Sequence, residues 1–123
     1  MAIYFNIEEM TKSETASKKG IDNGLPNIEI ICNAFKVLET LDLVRAYMDK
    51  PIFINSGYRC KELNKAVGGA ENSYHTKGLA ADFRTNSKED IPRMYSFLQK
   101  NIKRFNIQEL IRHDTFIHMA IKP

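Results

Sequence analysis

The run between Pro26 and Pro51 constrains this chain most, because one long amphipathic segment must find a partner surface to cover its apolar side. Ile28, Ile31, Cys32, Phe35, Leu38 and Leu41 recur at three-to-four spacing, and Val37, Val44 and Tyr47 widen the face. Asn27 suits the N-cap and Glu29 the first turn. The pattern predicts a helix of about twenty residues that lays one broad face on a core. On that phasing Cys32 is a buried thiol. A chain of 123 residues supports one such core, so a single domain over 1–123 is expected, with 1–26 as a loosely structured opening segment.

The chain beyond Pro51 supplies the partner surface. IFIN (52–55), LAADFR (79–84), IQELIR (107–112) and TFIHMAIK (115–122) read as short strands. His113-Asp114 leaves only a tight connection between the last two, as in a hairpin. Ser87 with Asp90 resembles a capping box, and Ile91, Met94, Tyr95, Leu98 and Ile102 mark a second amphipathic helix. A short helix near Asn6 and another over Lys61–Val67 complete an α+β domain, a small antiparallel sheet with flanking helices.

Charge and composition exclude more than they assign. Eighteen Lys and Arg against fifteen Asp and Glu leave +3, too little to point to an anionic partner. Basic residues are scattered, without an aromatic–basic platform or a helix-turn-helix pattern, so no nucleic-acid partner is expected. No apolar run approaches the roughly 18 residues of a membrane span, and the first residues lack a secretory pattern. Synthesis in the cytoplasm without a signal peptide, and a monomer, are the expectations. Cys32 and Cys60 are too few for a disulfide scaffold or a zinc knuckle.

Chemistry gathers around the histidines. In SYHTKGLAAD, His75 is followed by Gly78 and then Asp82, so a chain reversal at the glycine brings an imidazole and a carboxylate to one side. Asp82 shares its strand face with Ala80 and Arg84, and His118 shares one with Phe116 and Ala120. Two neutral imidazoles, one carboxylate and an open fourth position suit a catalytic zinc ion. From spacing alone two readings stay open, because an H-x6-D pair is common by chance and a strand histidine such as His118 often belongs to a core.

The surrounding residues resemble a known family. Ser56–Arg59 (SGYR), Leu63–Gly69 (LNKAVGG), Ser73–Asp82 (SYHTKGLAAD) and Phe116–His118 (FIH) are similar, in order, to motifs of the zinc D-Ala-D-Ala carboxypeptidase and L-Ala-D-Glu endopeptidase family of peptidoglycan peptidases. The segment IEEMTKSETASKKGIDNGLP also resembles the opening of small phage and bacterial members. The resemblance implies the hedgehog/DD-peptidase-like fold and Zn2+ held by His75, Asp82 and His118. It also implies hydrolysis of an amide bond in peptidoglycan stem peptides, by a carboxypeptidase or an endolysin-like endopeptidase. Arg59 would face the substrate carbonyl or carboxylate, a role suited to a planar guanidinium. Read on its own, without the resemblance, Arg59 is rather a surface turn arginine paired to Glu62 or Glu71. Action at the cell wall would then depend on release by a phage-type route.

One position departs from the family's pattern. The general base usually stands three residues before the last histidine, and here that residue is Thr115, which cannot take a proton. Asp114 has the strand parity of His118, but four extended residues span about 13 Å, so the chain would have to bulge at 114–115. Asp114 is the expected base on that condition, with His113 and Glu109 as weaker substitutes. Without a placed base, the alternative is a non-catalytic zinc-containing wall-binding or phage structural module of the same fold.

Overall fold

A computed structural model describes residues 2–123, and its elements derive largely from local sequence. Helix α1 spans Glu14–Lys19, α2 Ile28–Met48, α3 Lys61–Ala66 and α4 Ile91–Lys100. The strands are β1 Phe53–Ser56, β2 Ala80–Arg84, β3 Ile107–Arg112 and β4 Ile117–Ile121. Three 3-10 turns, Ile7–Met10, Tyr74–Lys77 and Lys88–Asp90, link them. The strands form one antiparallel sheet in the order β1-β2-β4-β3, which confirms the α+β architecture.

The opening segment is more structured than its polar composition suggests. Ser13 caps α1 by accepting from the Ala16 N–H, and Gly20 closes it in the left-handed region. Asp42, buried on α2, accepts the backbone N–H groups of Ile3 and Tyr4 at 2.7 and 2.9 Å and so ties the start of the chain to the long helix.

Helix α2 begins at Asn27, whose side chain accepts from the Ile30 N–H, as expected. Its buried stripe is Ala34, Val37, Leu38, Leu41, Val44 and Met48, and this stripe packs with α4 on one face of the sheet against Ala81, Phe83, Ile117, Met119 and Ile121. Each large aliphatic side chain so buried contributes about 1.5–3 kcal/mol. The first turns of α2 are phased differently from the expectation. Cys32 is exposed rather than buried, and Ile28 is 73% exposed. There the inward position belongs to Asn33, whose Nδ2 donates to the Lys77 carbonyl at 3.0 Å, because α2 meets a loop at this end instead of the apolar sheet. Ile102 likewise falls outside α4 and is exposed.

Strand alternation then divides the sheet between core and chemistry. On β2 the side chains of Ala81 and Phe83 enter the core, and on β4 those of Ile117 and Met119 do. Asp82 and His118 therefore project from the opposite face, and the register sets them directly across from each other.

Candidate metal centre

His75 comes to Asp82 and His118 from a loop whose geometry glycine permits. The Tyr74–Lys77 turn is opened by Ser73, whose Oγ accepts from the His75 N–H at 3.2 Å. It is closed by Gly78 at φ +73°, where a side chain is strained, and a Cβ there would also meet the Ile30 carbonyl at 3.0 Å. The chain reverses at that glycine and enters β2 toward Asp82.

The three side chains offer ligand atoms that all lie within 4.8 Å of one another. His75 Nε2 stands 3.3 Å from Asp82 Oδ1, and His118 Nδ1 stands 2.8 Å from the same oxygen. The fully buried His75 ring has its other nitrogen, Nδ1, 2.7 Å from the Gly57 carbonyl. A carbonyl only accepts, so that contact places the proton of a neutral ring on Nδ1 and leaves Nε2 a lone pair facing a carboxylate. Two acceptors aimed at one point call for a cation between them. The donor set and the fixed tautomer thus fit a zinc ion, with a carbonyl behind the ligand of the kind that orients metal-bound imidazoles.

Electrostatics agrees with a charged cluster. Burial opposes ionisation of Asp82, yet the hydrogen bond from His118 and the nearness of both imidazoles outweigh it and hold its carboxyl well below the usual range. Burial also opposes charge on His118, but Asp82 and a second carboxylate, Glu109, raise its pKa. Glu109 Oε1 lies 2.5 Å from His118 Nε2, the nitrogen turned away from Asp82. Glu109 reaches His118 because β3 and β4 pair with Ile111 opposite His118, which sets Glu109, two residues back on the same face, in the diagonal position.

Arg59 lies beside the cluster, close enough for Asp82 to offset part of the lowering that burial imposes on its pKa. It pairs with neither Glu62 nor Glu71. Its one side-chain hydrogen bond among the described residues runs from Nη2 to Ser73 Oγ at 3.5 Å, and Nε is buried without a partner among them. Asp114 is exposed in the β3–β4 connection and makes no hydrogen bond or ion pair among the described residues. His113, also exposed, stacks on Phe116. The carboxylate brought to His118, by the regular pairing of 109–112 with 117–120, is thus Glu109. A tight hairpin already implies this, since counting back from a connection at 113–116 sets 111 across from 118 and 109 on the same face.

Comparison with known proteins accords with this arrangement. The Peptidase M15 family matches residues 3–120. The chain belongs to that family. It is also 44% identical over 57 residues to the zinc D-Ala-D-Ala carboxypeptidase of Streptomyces albus G, a match covering 46% of this chain. The chain spans about a fifth of that relative's length, 22%. As a member of the Peptidase M15 family the molecule places three of the four motif segments of its sequence around one point, the SGYR loop through Gly57 and Arg59 and the other two through His75, Asp82 and His118. The LNKAVGG segment contributes indirectly. Asn64 donates to the Ala70 carbonyl at 2.7 Å and so shapes the loop leading to Ser73. Among the described residues no helix is long and apolar enough to cross a membrane.

Proposed function

We propose that this M15 peptidase is a zinc enzyme that hydrolyses an amide bond in peptidoglycan stem peptides, with His75, Asp82 and His118 as the metal ligands. The observation that carries the reading is the His75 tautomer: Nδ1 committed to Gly57 and Nε2 aimed, unprotonated, at Asp82. Zinc in such a site supplies Lewis-acid polarisation of the scissile carbonyl and a water acidified to a pKa of roughly 7. The chain supplies the rest. Arg59, whose Nη2 makes one long bond to Ser73 and whose Nε has no partner among the described residues, binds the carbonyl oxygen as it gains charge, or a terminal carboxylate beside it. Glu109 holds the Nε2–H of His118 with one oxygen, while its other oxygen has no partner among the described residues and the side chain is 40% exposed. That free oxygen is the base in this proposal, in place of Asp114: it takes the proton of the attacking water and returns it to the leaving amine.

The relative's name favours a carboxypeptidase. The opening segment's similarity to small phage and bacterial members favours an endolysin-like endopeptidase that reaches the wall by a phage-type release route. A second reading, a zinc-containing wall-binding or phage structural module without catalysis, draws on one observation, the exposed position of Asp114. Zinc content of the purified protein, measured with amino-group release from purified peptidoglycan, separates these. About one zinc per chain is expected, with metal and hydrolysis both lost in His75→Ala. Stoichiometric zinc without hydrolysis of several wall types would replace the peptidase with the binding module.

A further inference from the structure

Arg59 is weakly held through its side chain. Its one internal hydrogen bond is 3.5 Å long and its Nε has no partner, so its position must come from the backbone that carries it. That backbone is gripped from outside the SGYR motif. Asn23, 6% exposed, donates through Nδ2 to the Tyr58 carbonyl at 2.9 Å and accepts through Oδ1 from the Cys60 N–H at 2.8 Å. The two bonds straddle Arg59. The second Nδ2 proton goes to the Thr11 carbonyl at 3.0 Å, which ties the grip to the opening segment. Met10 adds to it by accepting from the Tyr58 N–H at 2.6 Å. From the other side, the Arg59 N–H donates to the His75 carbonyl at 3.0 Å. Lys12, Ser13 and Thr15 of the same opening segment then form, with Asn55 and Arg59, the walls of a cleft of about 240 Å³.

We infer that Asn23 is a positioning residue for Arg59: one amide, using both donors and its acceptor, fixes where the guanidinium stands beside the cluster. This rests on the role given to Arg59 above. A primary amide is the group for the task, since it serves two carbonyls and one N–H at once. Aspartate has the same shape but would set an acceptor against the Thr11 and Tyr58 carbonyls. Alanine would leave three buried backbone groups without their partner.

Two measurements test the inference on the full chain. The first needs no activity: proton exchange at Arg59 Nε–H, monitored by 15N NMR, reports how firmly the side chain is held. Asn23→Ala is expected to speed that exchange at least about tenfold while global unfolding stays cooperative. The second is a double-mutant cycle on hydrolysis. Asn23→Ala should lower kcat/KM by about 10²-fold in the native chain, but less than about twofold when Arg59→Ala is already present. Equal losses in both backgrounds, or unchanged exchange at Nε, would overturn the positioning role. Asn23→Asp serves as the second variant if Asn23→Ala does not fold. Failure of both to fold would make Asn23 a determinant of the fold alone, and the inference falls. A wild-type chain that hydrolyses nothing would refute the proposed function, while the exchange rates would still judge Asn23.

Discussion

Replacing Glu109 by Gln keeps the length and shape of the side chain but removes its ability to take a proton. At 2.5 Å from His118 Nε2 the contact is at the short end for a charged pair, and an amide oxygen can still accept there more weakly. Two effects of different size are expected. Loss of an orienting carboxylate behind a metal-binding imidazole weakens metal affinity about 10–100-fold. Loss of a general base lowers turnover about 10²–10⁴-fold, or ~3–5 kcal/mol on the barrier. Saturating zinc removes the first effect and leaves the second. In amino-group release at pH 7 with excess zinc, Glu109→Gln should therefore keep its metal and lose at least about 10²-fold in kcat. Asp114→Asn changes an exposed side chain without partners and should stay within about threefold. The reverse pattern, with Asp114→Asn inactive and Glu109→Gln active, would refute the assignment and mean that the hairpin closes on substrate. Recovery of Glu109→Gln by excess zinc would leave Glu109 an orienting role only.

Two stability predictions accompany it. Asp90 accepts from Thr85 Oγ1 at 2.7 Å and from Lys50 Nζ at 2.9 Å, and these bonds hold its carboxyl below the ordinary value of about 3.9. The stabilisation is thus complete above about pH 4 and fades as pH falls through the lowered native value, so Asp90→Asn should cost stability at pH 7 and progressively less at pH 3 and below. Denaturant midpoints across that range read the difference, and a gap that widens in acid would contradict it. Gly57→Ala would put a Cβ 2.6 Å from the Met10 carbonyl and 2.8 Å from its Cα, both backbone atoms that cannot swing aside. A loss of about 1–3 kcal/mol in chemical denaturation is expected, and an unchanged midpoint would show that the opening segment yields freely.

Much of the site was legible in the sequence because its information is local. The turn at Gly78 and strand parity at Asp82 and His118 derive from residue type and spacing within a few positions, and the structure brings these three together. The strands at 79–84 and 107–112 were legible for the same reason, period-two patterning between turn signals. Glu109 was harder. Its approach depends on pairing across the hairpin, where nearness in the chain favoured Asp114. Asn23 carried no signal, since a polar residue in a Gly- and Pro-containing turn looks solvated until Tyr58 and Cys60 are seen beside it.

The sequence alone therefore determined the α+β class and the long helix, because each is set by side-chain type at short range. Tertiary structure decided the strand order β1-β2-β4-β3, which faces Asp82 toward His118, and the phase of α2, which exposes Cys32 and buries Asn33. Those choices come from which surfaces meet across the core, a long-range balance of apolar burial and hydrogen-bond satisfaction that no local pattern records.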